Sequence, residues 1–289
     1  MLLFMKFLCF LFLLLSSQFI KAQGLQVEVN GGIANYQGDL QGKRFTLSNS
    51  KAAFGAGLSY ILNNHFSIRG IAGYMHIAAN DKNNTKATGI AYRNLNFTSR
   101  VLEAQLALEY YLFNLQERNF SPYIFAGIAA FHFNPYSFDS LGNKVFLRPL
   151  STEGQGLAAY PESKPYKTRQ VAIPFGAGLK LSLSPDISVA LELNIRKTFT
   201  DYLDDVSMNY VDSALLMAAK GPKAVAFAYH GHEIHGAPPY PAAGAQRGNP
   251  KIKDWYYTTL LRLQFRIPGN SNDIFTRQKN ILGCPGKVY

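Results

Sequence analysis

Apolar and polar residues alternate with a period of two along much of this chain, which is typical of β-strands with two different faces. Eight runs of this kind predict strands at about 25–36, 52–62, 65–77, 97–112, 122–133, 168–183, 187–199 and 253–267. The runs are longer than most strands of soluble proteins, which have about five or six residues. They suit the roughly 9–11 residues that a tilted strand needs to cross a bilayer.

The connections between the predicted strands alternate strictly between short and long. Short polar turns lie at 63–64, 114–121 and 184–186, and the long links lie at about 37–51, 78–96, 134–167 and 200–252. Outer-membrane barrels have tight periplasmic turns and longer outer loops. The sequence therefore predicts an all-β fold, an eight-stranded antiparallel up-and-down transmembrane outer-membrane β-barrel with long extracellular loops, short periplasmic turns and both termini in the periplasm. A soluble antiparallel barrel is the alternative, but its narrow interior would have to hold every aliphatic row.

The two faces of each predicted strand differ in chemistry, and this difference assigns them to lipid and lumen. The lipid-facing side is represented by Leu191, Leu193, Leu261, Leu263 and Phe265. The opposite faces carry charges, which must pair when they are buried. We therefore predict a salt-bridged plug of Arg69, Glu103, Glu109, Lys180, Glu192, Arg196 and Arg262 in place of an open pore.

Glycines on the predicted inner faces suggest how long side chains are accommodated. Gly55 and Gly57 lie on one strand, and Gly176 and Gly178 lie on another. We expect them to make room for the long arginines.

The start of the chain has the features of a secretory signal peptide. Lys6 precedes a short apolar stretch, and a small residue, Ala22, stands at the expected cleavage point. An uncleaved helical anchor is the less favoured interpretation, because the apolar stretch is shorter than a bilayer span. The predicted organisation is a signal peptide at 1–22, a barrel at 23–267 and a periplasmic tail at 268–289. Cleavage would leave Cys284 as the one remaining cysteine, and an odd exported cysteine suggests an intermolecular disulfide.

Composition narrows the function classes further. The chain is 47% hydrophobic and 16% charged, which excludes a disordered protein. It has a formal net charge of +11, but the basic residues are scattered, so a nucleic-acid partner is not expected. There is also no glycine-rich phosphate-binding loop.

A lipid-hydrolysing site is one chemistry that must be considered for a small outer-membrane barrel. His65 and Ser67 lie on the same predicted strand face, but no acid accompanies them to orient the histidine. An interfacial histidine and a lumenal serine are the favoured interpretation. We predict no catalytic residue.

Two groups in the long fourth loop have the residue types of a metal site. His230, His232 and His235 surround Glu233, and the acidic group consists of Asp201, Asp204, Asp205 and Asp212. The histidines are interleaved with glycines, which favours a flexible surface segment. The aspartates lack the twelve-residue spacing of an EF-hand and are interpreted as a solvated acidic lip. We predict neither a metal nor a cofactor.

The same loop has helix signals. Asp212 precedes an apolar run, Gly221–Pro222 follows it, and 224–229 can add a second turn.

Several segments resemble one known family. The weaker ones are 121–127 and 166–178, and the more specific ones are Arg-Lys-Thr-Phe-Thr-Asp-Tyr-Leu-Asp-Asp-Val-Ser at 196–207 and Arg-Gly-Asn-Pro at 247–250 with Asp-Trp-Tyr at 254–256. These resemble the PorG-like outer-membrane barrels of the type IX secretion system of Bacteroidota, over roughly 24–267.

The resemblance implies a non-enzymatic component that anchors a periplasmic ring of a lipoprotein and its partner (PorK-like and PorN-like) to the outer membrane. Outer-membrane lipid and the secretion translocon are further expected contacts. Two alternatives remain open: an OmpA-like structural or adhesive barrel that acts through its loops, and a lipid-modifying outer-membrane enzyme.

Overall fold

The computed structural model describes residues 24–41, 45–83, 92–114 and 118–267. The predicted signal peptide at 1–22 and the tail at 268–289, with Cys284, lie outside the described residues. The strands of the described part are β1 (Leu25–Gln37), β2 (Lys51–Ile61), β3 (Phe66–Asn80), β4 (Asn96–Tyr111), β5 (Phe120–Phe138), β6 (Lys144–Phe146), β7 (Arg169–Ser182), β8 (Ile187–Thr198) and β9 (Trp255–Arg266).

Eight of these strands close into a barrel in which every strand is antiparallel to both of its neighbours. The order around the barrel is β1–β2–β3–β4–β5–β7–β8–β9, and β9 pairs with β1 to close it. The closing register places Glu28 opposite Gln264 and Asn30 opposite Arg262. Closure pairs the backbone groups between strands, as a bilayer requires. The predicted eight-stranded antiparallel barrel is confirmed.

The connections are short at one end of the barrel and long at the other. The short ones span 62–65, 112–119 and 183–186, and we call this the turn end. The long ones span 38–50, 81–95, 139–168 and 199–254, and we call this the loop end. The predicted alternation of turns and loops is therefore confirmed.

The third long link contains a strand that the sequence did not predict. β5 continues to Phe138, and the short β6 pairs back onto it, with Tyr136 opposite Phe146. The Asp139 carboxylate accepts hydrogen bonds from the backbone N–H groups of Leu141 and Asn143 and so shapes the turn. The alternation had predicted this strand only over 122–133, and Pro135 lies in the part beyond that range.

Two helices lie in the last long link, as predicted. α1 (Ser213–Lys220) begins at Asp212, whose carboxylate accepts hydrogen bonds from the N–H groups of Ala214 and Leu215. α1 ends at Gly221, whose φ of +82° suits glycine, and α2 (Pro222–Ala228) follows directly. No helix in the described part of the chain is long and apolar enough to cross a membrane.

The inside of the barrel has two layers of different chemistry. Towards the loop end it is apolar and aromatic, with Tyr36, Phe97, Phe131 and Phe133 buried against the loops. The stack continues outward, since Tyr166 lies 6.0 Å from Phe133 between ring centroids. Towards the turn end, the interior is dominated by charged side chains. The loops therefore share a hydrophobic core with the barrel.

Candidate functional site

Six charged side chains meet inside the turn-end half of the barrel. This lumen cluster consists of Glu28, Arg69, Glu109, Lys180, Glu192 and Arg262. All six are buried, and strand alternation directs them inward from β1, β3, β4, β7, β8 and β9. Three cations face three anions, so the charges of the cluster balance.

Arg262 is the hub of the lumen cluster. Its guanidinium donates hydrogen bonds to Glu28, Glu109 and Glu192 at 2.5, 2.8 and 2.7 Å. Arg69 shares two of these partners, with Glu109 Oε1 at 2.8 Å and Glu192 Oε1 at 2.9 Å. Charge-assisted bonds of this kind are about twice as strong as neutral ones. The cluster therefore fastens five strands to one another across the lumen.

Glu103 and Arg196 form a separate ion pair nearer the loop end. Arg196 donates from Nε and Nη2 to the two oxygens of Glu103 at 3.1 and 2.8 Å. The Tyr256 hydroxyl donates to the same carboxylate at 2.6 Å. This bidentate pair connects β4 with β8.

The glycines of β7 make room for aromatic rings and not directly for arginines, so that expectation was wrong. A Cβ at Gly178 would lie 2.5 Å from the Tyr123 ring, and one at Gly176 would lie 2.9 Å from Phe125. The arginine then packs on the ring, with the Arg69 guanidinium 4.2 Å from the centre of Phe125. The glycines of β2 have other neighbours: Gly55 faces the Asn30 amide.

The packing leaves little empty space beside the Glu103–Arg196 pair. A void of about 10 Å³ lies there, bordered by Asn30, Met75 and Thr258. That is about the volume one water molecule needs. The lumen in this region is filled by side chains, as the small size of an eight-stranded barrel requires.

The outer surface of the barrel is a belt of apolar side chains. Leu191 and Leu261 have 54% and 62% of their surface exposed, and Leu193, Leu263 and Phe265 point to the same side. Exposed aliphatic residues on every strand would be unfavourable in water, but they need no protein partner in lipid. The architecture is that of an outer-membrane β-barrel.

The loops fold into an ordered cap over the loop end of the barrel. The cap consists mainly of 139–168 and 199–254, with contributions from 38–41 and 92–95. Its centre is Arg247, which donates to Glu153 at 2.9 Å and to the Asp205 carbonyl at 2.7 Å. Glu153 also accepts the N–H groups of Ser207 and Met208. One buried ion pair thus joins the two longest loops.

Arg93 adds a third loop to this arrangement. Its guanidinium donates to both oxygens of Asp81, at 2.8 and 2.7 Å, and to the carbonyl of Arg247. Nη2 of the same guanidinium also donates a hydrogen bond to the carbonyl of Asp39 at 3.1 Å.

Three of the four aspartates interpreted as a solvated acidic lip are buried, so that interpretation was wrong. Asp201, Asp204 and Asp205 each have no more than 2% of their surface exposed. Asp205 accepts hydroxyl hydrogen bonds from Thr152 at 2.6 Å and from Tyr166 at 2.7 Å. The fourth aspartate, Asp212, caps α1. Sequence spacing cannot show that a polar loop has its own core, which is why this was missed.

Tyr36 connects two of the buried carboxyls. Its hydroxyl lies 2.7 Å from Asp204 and 2.7 Å from Asp254. A phenol has one proton and can donate to only one of them. The other carboxyl must therefore be protonated and donate to the phenol oxygen. Burial raises the pKa of both aspartates well above the usual value, helped by repulsion from Asp39 at Asp204 and from Asp204 at Asp254, in agreement with a shared proton.

The cap should lose stability as the pH rises. Burial raises the pKa of Asp201 to about 7 and that of Asp205 to about 6, from 3.8. An acid with a higher pKa in the folded state binds more protons when folded, so the free energy of unfolding falls between about pH 4 and pH 7. Burial lowers the pKa of His230, which by itself would make the free energy of unfolding rise with pH. This one histidine is opposed by the two aspartates.

Trp255, the single tryptophan, directly follows the buried Asp254 in sequence, and its ring packs against Phe175 at the loop end of the strands. We expect its fluorescence to show a lower denaturant midpoint at about pH 7.5 than at about pH 5. Asp201→Asn should reduce the difference. A midpoint that rises with pH would contradict the assignment.

The loop-four histidines do not converge on a common point. His230 is buried against Phe227, and its Nδ1 lies 4.0 Å from Glu233. Among the residues that the structure describes, no group of three or more His, Cys, Asp or Glu side chains is arranged to hold a metal ion.

His65 and Ser67 are likewise separate. Ser67 donates to Glu109 at 2.7 Å inside the lumen, whereas His65 Nδ1 lies 2.8 Å from the carbonyl of Tyr111 at the turn end. The two side chains have different partners, so this part of the barrel does not contain a serine–histidine pair.

Several residues central to these networks were missing from the sequence-based site. Glu28, Glu153 and Arg93 are examples, although the alternation in β1 already places Glu28 on an inner face. Arg247 was noticed only as part of a motif. No periodic signal marks Glu153 or Arg93, since both lie in loops.

Known proteins resemble this chain in part. A family model described as a domain of unknown function (DUF6089) matches residues 5–145, slightly less than half of the chain. No curated protein matches the sequence.

Solved outer-membrane barrels are similar in fold. Neisserial surface protein A (NspA) is 9% identical with a TM-score of 0.39, covering 84% of this chain and 97% of that one. Ail of Yersinia pestis is 10% identical with a TM-score of 0.40, covering 85% and 99%. The outer membrane enzyme PagL is 14% identical with a TM-score of 0.32, covering 83% and 99%. Values this low support no inference about activity or partners.

Proposed function

We propose that this barrel is a non-enzymatic, structural component of a type IX protein secretion apparatus in the outer membrane. In this proposal the loop end is extracellular and the turn end is periplasmic. The barrel anchors a periplasmic ring, built from a lipoprotein and its partner of the PorK-like and PorN-like kinds, to the membrane.

The observation that carries the proposal is the spatial convergence of the two more specific family-like segments. Residues 196–207 and 247–250 with 254–256 are far apart in sequence but share one buried network. The Asp205 carbonyl accepts a hydrogen bond from Arg247, and the Thr198 hydroxyl donates to the Asp254 carbonyl at 2.6 Å. The resemblance therefore concerns residues that build one structural unit, which supports a shared architecture with that family.

The packing of the lumen is consistent with anchorage. The lumen cluster ties the strands together, and the cap closes over the loop end. Such a barrel is suited to hold a position in the membrane and not to conduct solutes. The separation of His65 from Ser67 gives no support to the lipid-modifying alternative.

The turn end would be the surface that meets the ring. A pocket of about 330 Å³ opens there, bordered by Gln26, Lys180, Ser188 and Arg266. The tail, with Cys284, would be the second contact, and Cys284 would form a disulfide to a ring subunit.

Deletion of the tail tests this proposal directly. We expect the tagged full-length chain, pulled down from outer membranes, to recover a periplasmic lipoprotein ring. Removing residues 268–289 should reduce the recovery at least tenfold, about 1.4 kcal/mol or more of binding free energy, without changing the amount of folded barrel. A covalent adduct should disappear with reductant and in Cys284→Ser.

Recovery of the ring by the shortened chain would exclude the tail as the contact. If the intact barrel is recovered alone with and without reductant, the ring proposal fails. An adhesive barrel acting through its loops would then be the better explanation, because such a protein should not depend on the tail.

A further inference from the structure

The outer face of the barrel carries a groove at one side. Four alanines, Ala56, Ala72, Ala104 and Ala130, are direct cross-strand neighbours on β2, β3, β4 and β5. On the loop-end side of this row, the larger side chains of Phe54, Tyr74 and Leu102 line the same groove, so the alanines form its recessed floor. The groove has a volume of about 1040 Å³. Recessed apolar surface of this size can accept acyl chains.

The loop-end border of the groove is basic. His132 and Arg169 are cross-strand neighbours that both line the groove. One step closer to the loop end, His76 and Arg100 are also cross-strand neighbours. Lys51 and Lys144 are close enough to His76 to interact with it electrostatically. Six basic groups therefore gather along one side of the groove.

No carboxylate of the described barrel strands lies on the outer face beside these bases. The four carboxylates of the barrel strands, Glu28, Glu103, Glu109 and Glu192, are all buried in the lumen. Within the described residues, Arg100 and Arg169 are exposed and form no salt bridge. Exposed arginine guanidinium groups pair favourably with phosphate. The outer face thus has an excess of positive charge at the level of one membrane interface.

We propose that this groove binds a phosphorylated, multiply acylated lipid of the surrounding leaflet. Arg100 and Arg169 contact the phosphates, and the alanine row receives an acyl chain. Charge complementarity selects the lipid, since basic residues at the membrane interface attract anionic headgroups and apolar surface alone would not discriminate. The inference rests on the orientation in the proposed function, with the loop end extracellular, but it does not depend on the ring anchor.

A second outer-face groove provides an internal control. It has a volume of about 390 Å³ and is bordered by Ile124, Ala177, Leu179 and Leu191. Apart from Thr259, its exposed lining is apolar, and it has no basic residue. Filling this groove should not affect a lipid that needs the basic border.

Native mass spectrometry of the full-length chain in detergent micelles tests the proposal. Diphosphoryl lipid A is the titrated probe, its dephosphorylated form is the matched lipid, and inorganic phosphate is the competitor. We expect the phosphorylated lipid to bind at least tenfold more tightly than the dephosphorylated form. Arg100→Gln with Arg169→Gln, and separately Ala104→Phe, should weaken binding at least tenfold. Lys197→Gln and Ala177→Phe should change it less than twofold.

Several outcomes would overturn the proposal. One is equal binding of both lipids, and another is unchanged binding by the arginine double variant. Full displacement by inorganic phosphate would show an anion site without an acyl groove. A dimer of the chain that Ala104→Phe abolishes would make the groove an interface between copies. Since all substitutions lie on the outer face, they leave the lumen cluster and the cap intact.

Discussion

Replacing Arg262 with methionine should destabilise the barrel by about 3–5 kcal/mol, the range for removing one partner of a buried ion pair. Arg262 is 1% exposed and bonds to Glu28, Glu109 and Glu192. Methionine fills most of the same space but leaves three buried carboxylates facing two cations. Denaturant unfolding of the refolded barrel in detergent micelles measures the loss.

Two variants separate this effect from a general sensitivity of β9. Leu261→Met, on the outer face of the same strand, should change stability by less than about 0.5 kcal/mol, as surface changes usually do. Adding Glu28→Gln to Arg262→Met should recover part of the loss, because one unpaired carboxylate is removed. If Arg262→Met cannot be refolded while Leu261→Met can, the prediction holds. A loss below about 1 kcal/mol in Arg262→Met would contradict a central role for the lumen cluster.

The barrel itself could be predicted because its signals are local. Alternation with a period of two assigns each residue to a face, and the lengths of the connections give the topology. Leu261 and Arg262, for example, are neighbours in sequence with opposite surroundings. These features need no knowledge of which strands are close in space.

The partners inside the lumen could not be predicted, since they depend on distances across the barrel. Arg69 and Glu192 are 123 positions apart in sequence. Their contact depends on the register of every strand between them, and several acids are available to each arginine. The sequence thus identifies the charged face but not the pairing.

The cap was less predictable still. Its loops contain many polar residues, and polar loops are ordinarily solvated. Here the buried carboxyl groups of Asp204 and Asp254 are hydrogen-bonded to Tyr36, although they lie 168 and 218 positions from it in sequence. Only the helix signals around Asp212 and Gly221 were local enough to be interpreted correctly. Loops of this length can pack a core of their own without any periodic pattern of apolar residues that would predict it from the sequence.

Arg247→Met should loosen the cap while the barrel remains folded. Arg247 is the buried cation that Glu153 pairs with, and its loss leaves that carboxylate uncompensated. We expect the cap to lose about 3–5 kcal/mol of stability. The loss affects the loops and not the barrel, because the Arg247 network lies outside the lumen. Limited trypsin digestion in micelles should then cut within 199–254, where Lys220, Lys223, Lys251 and Lys253 are available.

The matched control is Lys220→Met, which removes the same charge from an exposed helix end and should leave protection of the remaining sites unchanged. Adding Glu153→Gln to Arg247→Met should restore part of the protection, because the glutamine is neutral and can still accept the N–H groups of Ser207 and Met208. A digestion pattern of Arg247→Met identical to that of the unmodified chain would contradict the role of the ion pair.

If the ring contact lies at the turn end, Arg247→Met should also retain ring recovery, since a loosened cap leaves the opposite end of the barrel in place. Loss of the ring in this variant would instead place the contact at the loop end.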